Sequence, residues 1–273
     1  MSVNKEASGR RSVQVEVEVP GTPAEVWQAI ATGPGVSSWF VPTESEERVG
    51  GAVVAHFGPG MDSTATVTAW DPPHRFAAES PDLGPNAPTL ATEWVVEARS
   101  GGTCVVRVVH SLFASTDDWD DQLESIESGW PAFFRILRLY LTQFRGERCS
   151  TFQLMGVAPE PVSKAWDALT ASLGLGGATL GQRRNTPAGV PSLAGVVEAI
   201  REGNQPYQLL LLDKPAPGAV FLNACAMGGQ VYMPISFYVY GDRAAAAVAR
   251  EEPAWRVWIN EHFPSVGEAS HVA

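Results

Sequence analysis

The sequence predicts an α+β fold in two tandem domains, each combining antiparallel strands with a long helix. Within 12–19, valines occupy every second position, which is typical of a half-buried antiparallel strand. Within 117–145, apolar residues recur at intervals of three and four, which indicates a long helix lying on a sheet. Both kinds of pattern begin again after Cys149. The 273 residues are enough for two domains of ordinary size.

The composition is that of a folded protein with an acidic surface. Hydrophobic residues make up 45% and charged residues 18%, far from the composition of a disordered chain. The formal net charge is −11, and Arg183 and Arg184 form only a lone basic pair. Because nucleic acids and anionic membranes are bound mainly through clustered Lys and Arg, the sequence disfavours both partners.

Neither metals, cofactors nor catalytic motifs are indicated. Cys104, Cys149 and Cys225 are odd in number and widely spaced, which argues against a zinc site or a disulfide framework. A Gly-x-Gly begins at 174–176, but Thr179 stands where a dinucleotide-binding loop needs its third glycine. We therefore predict no cofactor, no metal and no catalytic residue set.

The segment Met1–Arg11 is polar and lacks the apolar core of a signal peptide. The sequence also has no run of 18 apolar residues, so no transmembrane helix is expected. These two observations together predict a cytoplasmic location.

The first helix carries the clearest local signal. Thr22 and Glu25 match a capping box, and Pro23 stands at the first helical position. Trp27 lies on the apolar face of this helix. Gly33-Pro34-Gly35 is expected to end it.

Strands and a long helix are predicted for the rest of the first half. The predicted strands are 64–70, 75–79, 92–98 and 103–111. Thr116 or Asp117 is expected to cap the long helix that follows. Gly129 and Pro131 interrupt this helix, which predicts a kink.

Three short matches recur in the same order in the two halves. In each half, a proline lies seven residues before a tryptophan in the first helix. The matched segments are 20–27 with 159–166, 67–73 with 197–206, and 131–133 with 253–255. Such ordered matches argue for an internal duplication. We predict domains at 12–146 and 149–264, with Trp27 and Trp166 as buried equivalents.

The second half is shorter than the first. Its segment 174–191 is rich in Gly and Pro and shows no clear strand, so the early strands of the second domain are expected to be missing. The predicted strands are 196–200, 207–212, 219–224 and 230–240. In the last of these, apolar residues at alternate positions, among them Met233, Ile235 and Phe237, are expected to fill the interior.

An ordered set of short motifs marks the first half. The set is Trp27, Ser38-Trp39-Phe40, Arg48-Val49-Gly50-Gly51, Trp70-Asp71-Pro72-Pro73-His74-Arg75, Gly102-Thr103 before 106–110, and Gly129-Trp130. With these motifs, residues 12–146 resemble the START/SRPBCC superfamily and, within it, the activator-of-Hsp90-ATPase-like group. The resemblance implies a helix-grip fold, in which a curled antiparallel sheet surrounds a long C-terminal helix and leaves a cavity. By duplication, 149–264 is expected to be a divergent second START-like domain.

The resemblance implies three different functions. The leading one is binding of an apolar or amphipathic small molecule in the cavity of the first domain. The alternatives are an enzyme of the cyclase or dehydratase type that uses a pocket histidine, and a co-chaperone-like module whose partner is a chaperone. Fold alone does not decide among them. The chain is expected to be a monomer in which the second domain packs on the first like a dimer mate.

Strand alternation identifies the side chains that face the predicted cavity. Glu93, Glu97 and Arg107 should face water, so their neighbours should point inward. The predicted ligand-binding residues are Trp94, Val106, Val108, His110, Trp130, Phe133, Phe134 and Leu137. Among them, His110 is the one titratable group, suited to orienting a ligand or to moving a proton. The same residues also fit an ordinary core, because every helix packed on a sheet needs such a face.

Overall fold

A computed structural model describes most of the chain. The described residues are 3–58, 62–81, 87–159 and 161–264. The chain divides into two compact units between Arg145 and Gly146. Each unit contains one antiparallel sheet and ends with a long helix, so the predicted α+β class is confirmed.

The first unit is an antiparallel sheet with three helices. Its elements are β1 (Asn4–Lys5), β2 (Arg10–Pro20), α1 (Pro23–Ala31), α2 (Gly33–Ser37), β3 (Thr43–Ser45), β4 (Ala52–His56), β5 (Asp62–Asp71), β6 (Arg75–Ser80), β7 (Leu90–Arg99), β8 (Thr103–Phe113) and α3 (Asp120–Gln143). The strand order is β1-β2-β8-β7-β6-β5-β4-β3. The helix α3 packs against β2 and β8. This is the helix-grip arrangement that the resemblance implies.

Helix α1 begins as its sequence predicts. The Glu25 carboxylate accepts a hydrogen bond from the Thr22 amide at 2.7 Å, and the Thr22 hydroxyl accepts one from the Glu25 amide at 3.4 Å. The helix ends at Ala31, but Gly33-Pro34-Gly35 is not a plain stop. It forms the start of α2, because the Thr32 hydroxyl accepts a hydrogen bond from the Gly35 amide at 3.1 Å and caps the new helix.

The start of α3 differs from the prediction. The helix begins at Asp120, and its N-cap residue, Trp119, makes no side-chain capping bond. The expected caps, Thr116 and Asp117, are wrong. The reason is a distant partner, since the Asp117 carboxylate accepts a hydrogen bond from the Arg11 guanidinium of β2 at 2.7 Å.

The second unit repeats the plan of the first. Its elements are β9 (Cys149–Pro159), α4 (Val162–Ser172), β10 (Arg183–Asn185), β11 (Ala194–Arg201), β12 (Tyr207–Lys214), β13 (Gly218–Asn223), β14 (Cys225–Met227), β15 (Gln230–Tyr240) and α5 (Ala244–His262). Its strands follow the order β9-β15-β13-β12-β11-β10, and β14 extends the pairing of β13 along β15. The corresponding strands of the first unit follow the order β2-β8-β7-β6-β5-β4. Among the described residues, β1, β3 and α2 have no counterpart in the second unit.

The strand pairing of the two units agrees residue by residue at the start of the first helix. Pro20 at the end of β2 pairs with Thr103, the first residue of β8. Pro159 at the end of β9 pairs with Gln230, the first residue of β15. In both units the following helix starts three residues after the proline. The duplication therefore extends to the register of the sheet.

A glycine turn and a bulge recur in the two sheets. Val67 of β5 exchanges backbone hydrogen bonds with Gly50 and Gly51, and Val197 of β11 does so with Gly181 and Gln182. A register shift directly follows both valines. Gly50 and Gly181 have φ of +76° and +74°, a conformation that favours glycine. The strand β10 is thus the counterpart of β4, and the expected loss of all early strands is wrong.

The interior of the second unit is filled by its own side chains. Met233, Ile235 and Phe237 of β15 are buried, as the alternation predicts. The Phe237 ring stacks on Phe152, with ring centroids 4.4 Å apart, and contacts Trp255 of α5 at 5.0 Å. These contacts fill the space between the sheet and α5 around Phe237.

The two equivalent tryptophans differ in burial. Trp27 is 4% exposed, whereas Trp166 is only partly buried, so the prediction is wrong for Trp166. The buried residues of α4 include Ala165 and Leu169. Their helical positions are those of Val26 and Ile30 in α1, so the buried helix faces correspond although the two tryptophans differ in burial.

The cause lies in the neighbouring strands. Trp27 is enclosed by Trp70 and Phe76, with ring centroids at 5.1 and 5.8 Å. Trp70 pairs with Phe76 in the first sheet, and at the corresponding place in the second sheet Ile200 pairs with Gln208. The second unit therefore offers Trp166 no aromatic enclosure there.

Replacing each tryptophan by alanine should separate the two positions. Trp27→Ala should lower the free energy of unfolding of its unit by about 3–5 kcal/mol, because it empties an enclosed aromatic site. Trp166→Ala should cost clearly less, because its ring is partly in solvent. Urea denaturation of the full chain, followed by circular dichroism, measures both losses. Equal losses would contradict this account.

Candidate functional site

The predicted ligand-binding residues lie together on the interior of the first unit, between β7, β8 and α3. All are buried except Phe133, which is partly exposed: Trp94, Val106, Val108, His110, Trp130, Phe134 and Leu137 are the buried members. The strand residues share one face because Trp94 pairs with Val108 in the sheet. We call this set the wall.

The wall residues pack on one another through aromatic contacts. The Trp94 and Trp130 rings meet edge to face, with centroids 5.0 Å apart. Phe40 stacks on Trp130 at 5.5 Å and meets Phe133 at 4.6 Å. Phe57 contacts Phe40 at 5.6 Å and is 41% exposed. The aromatic cluster thus extends from the buried wall to the surface.

His110 links the strand side of the wall to the helix side. Its Nε2 accepts a hydrogen bond from the Trp130 indole N–H at 2.7 Å. A neutral imidazole with an accepting Nε2 carries its proton on Nδ1. The Nδ1–H therefore donates to the Thr92 hydroxyl, 3.0 Å away. Both ring nitrogens of His110 are engaged.

Burial holds His110 in its neutral form. The ring is 5% exposed, and desolvation lowers its pKa from 6.5 to about 4. At neutral pH it is therefore uncharged. To act as a general acid or base, it would have to give up a hydrogen bond and carry a charge in an apolar interior. The arrangement is better suited to fixing the positions of Trp130 and Thr92.

Three residues of this region were missed as site residues. Thr92 lies directly opposite His110 in the β7–β8 ladder, so the register alone places it there once the hairpin is known. Phe40 belongs to the Ser-Trp-Phe motif after α1, but no periodic pattern points it inward. Phe57 follows β4, where the sequence carries no directional signal.

Two cavities bounded by described residues lie away from the wall. One, of about 390 Å³, is mainly polar and includes Arg107 and Glu93. Both of these side chains are already in ion pairs, with Glu16 and Arg75 respectively. The other cavity, of about 620 Å³, belongs to the second unit and is mainly apolar.

The described part of the chain shows neither a metal-binding cluster nor a membrane-spanning helix. Among residues 3–58, 62–81, 87–159 and 161–264, no cluster of three or more His, Cys, Asp or Glu side chains is placed to hold a metal ion. No helix in those ranges is long and apolar enough to cross a membrane. Cys104, Cys149 and Cys225 form no disulfide bond with one another.

Residues 10–135 match the family model described as polyketide cyclase/dehydrase and lipid transport. The first unit has a START/SRPBCC-like fold. This confirms the resemblance inferred from its motifs. The second unit, with the same strand order and register, is a divergent copy of the START-like fold. A comparison with curated proteins found no match.

Some solved structures similar to the chain match about half of it, and others match nearly all of it. CalU16 from Micromonospora echinospora is 16% identical, with 52% of this chain and 83% of that chain covered and a TM-score of 0.41. The Aha1 dimer from Colwellia psychrerythraea is 19% identical, with 50% and 98% covered and a TM-score of 0.41. The di-domain ARO/CYC BexL, from the BE-7585A biosynthetic pathway, is 14% identical, with 93% and 99% covered and a TM-score of 0.44.

The neutral state of His110 predicts a specific dependence of stability on pH. The unfolded chain takes up the His110 proton near pH 6.5, whereas the folded START-like unit takes it up only near pH 4. The stability that a neutral His110 provides is therefore present above pH 6.5 and is lost as pH falls toward 4. Between pH 7 and 4.5, this loss should be about 2 kcal/mol.

The matched variant is His110→Gln, which does not titrate. Urea denaturation of both proteins at pH 7 and pH 4.5 gives the difference in unfolding free energy between them. The native protein's advantage in unfolding free energy over His110→Gln should be about 2 kcal/mol smaller at pH 4.5 than at pH 7. A difference that stays constant between the two pH values would show that His110 does not titrate as described.

Proposed function

We propose that the first unit binds an apolar or amphipathic small molecule against the aromatic wall. The observation that carries the proposal is that the exposure of the aromatic side chains decreases stepwise from the surface to the interior. Phe57 is exposed, Phe40 and Phe133 are partly exposed, and Trp94 and Trp130 are buried. Aromatic side chains that lead inward from the surface, with a few polar groups among them, are typical of small-molecule sites.

Thr92 supplies the polar contact of the proposed site. Its hydroxyl oxygen accepts the His110 Nδ1–H, and its own O–H proton remains available for donation. Thr92 is also only partly buried. An acceptor on the ligand, such as a hydroxyl or carbonyl oxygen, would satisfy it. His110 then acts as a positioning residue that fixes the orientation of the Thr92 hydroxyl.

Binding is favoured over catalysis by the state of His110. A cyclase or dehydratase reaction needs a group that gives or takes a proton at working pH. His110 is neutral, its pKa lies far below 7, and both of its nitrogens are hydrogen-bonded. The description of the matching family includes lipid transport beside cyclase and dehydrase. The hydrogen bonds and burial of His110 support a binding role over an enzymatic one.

Blocking the wall should abolish binding in the first unit. Val108→Trp places a large ring on the inward face of β8, whereas Val109→Trp makes the same change on the next, outward-facing position. With 1-naphthol as probe, isothermal titration should show at least a tenfold loss of affinity for Val108→Trp and native affinity for Val109→Trp. Unchanged 1-naphthol binding by a normally folded Val108→Trp variant would contradict the proposal.

Thr92→Val tests the polar contact without adding bulk. It should weaken 1-naphthol binding about fivefold, the effect of one hydrogen bond, and leave naphthalene binding unchanged. Equal effects on both probes would exclude Thr92 as the polar contact. Native mass spectrometry of the protein purified from its own host would then identify the class of the retained ligand.

A further inference from the structure

An ion pair joins the first and last helices of the first unit. Glu25, the third residue of α1, accepts a hydrogen bond from the Arg145 guanidinium at 2.9 Å. Arg145 is the second residue after the end of α3. The pair therefore links the helices at the end of the sheet where β2 finishes and β8 begins.

The second unit has different residues at both of these positions. The third residue of α4 is Lys164, and the second residue after α5 is Pro264. The helix ends are equivalent, because the amides of Phe144 and Phe263 both donate to the carbonyl four residues earlier, at 2.8 and 2.7 Å. With Lys and Pro in place of Glu and Arg, no ion pair can form there.

The cavity of about 620 Å³ lies at this place in the second unit. It is lined by Val157, Ala158, Pro159, Lys164, Ala165, Ala168, Gly229, Gln230, His262, Phe263 and Pro264. These residues come from the end of β9, the first half of α4, the start of β15 and the end of α5. The volume lies within the range of about 300–1,000 Å³ that is usual for small-molecule sites.

The lining of this cavity combines an apolar surface with one cation. Val157, Ala165 and Phe263 contribute apolar side chains, and the exposed Lys164 provides an ammonium group. Among the described residues, no carboxylate forms an ion pair with Lys164. His262 is held at the edge by a 2.8 Å hydrogen bond to the Trp258 carbonyl and by stacking on the Trp258 ring at 4.8 Å.

We propose that this cavity of the second unit binds an amphipathic carboxylate of the medium-chain fatty-acid class. The hydrocarbon chain would lie on the apolar lining, and the carboxylate would be held by the Lys164 ammonium through a charge-assisted hydrogen bond. The site is separate from the wall of the first unit. It does not depend on the function proposed for that unit.

Two pairs of variants of the full chain test the site. Ala168→Trp fills the cavity, and its control is Ser163→Trp, on the same helix but outside the lining. Lys164→Met removes the ammonium, and its control is Lys214→Met, which removes the same charge elsewhere. The probes are decanoate and decan-1-ol, which share a chain but differ in the charge of the head.

The expected results differ for the two probes. Lys164→Met should weaken decanoate binding about tenfold and leave decan-1-ol unchanged, whereas Ala168→Trp should abolish binding of both at this site. Both controls should bind like the native protein. If Ala168→Trp does not fold, the comparison of the two probes on Lys164→Met, an exposed position, decides. Equal decanoate affinity in Lys164→Met and native protein would overturn the proposal.

Photo-crosslinking separates this site from the first unit. A diazirine derivative of decanoic acid should label peptides that contain residues 157–168 or 229–264. Labelling confined to peptides of the first unit would overturn the proposal and would instead support binding at the wall. Labelling in the second unit that persists in Val108→Trp would show that the two sites are independent.

Discussion

The pairing of the first long strand of each unit with its last strand is the constraint on which both units depend. The ladder between β2 and β8 runs the full eleven residues of each strand, and so does the ladder between β9 and β15. It brings the first helix, which directly follows the first strand, next to the end of the last helix. The Glu25–Arg145 ion pair and the cavity beside Lys164 are both consequences of this pairing.

The two units use the same framework in different ways. In the first, the interior holds a buried histidine whose two nitrogens bind Thr92 and Trp130, set in aromatic side chains that reach the surface. In the second, the corresponding interior is closed by rings such as Phe237 and Trp255, and open space appears instead at the helix ends. The two units thus share a backbone arrangement, but their different side chains leave open space in different places.

The sequence predicted those features that depend on neighbouring residues. The capping box at Thr22 and the inward face of the strands, including Trp94 and His110, follow from local spacing. The failures involve distant partners. Asp117 does not cap α3 because Arg11 binds it, and Trp166 is not enclosed because β11 and β12 lack the aromatic pair that surrounds Trp27. The three-residue strand β10 is too short to show a pattern and is defined only by its pairing with β11.

The long ladder between β2 and β8 has a consequence for how the protein is made. Its paired residues lie from 83 positions apart, for Pro20 and Thr103, to 103 positions apart, for Arg10 and Phe113, so the contacts that complete the sheet are among the most distant in the unit. Contacts of this kind cost chain entropy before they contribute stability, and they slow folding. During synthesis on the ribosome, the first strand of each unit can pair with the last strand only after the last strand has emerged. Until then its apolar face is open to other chains or to a chaperone.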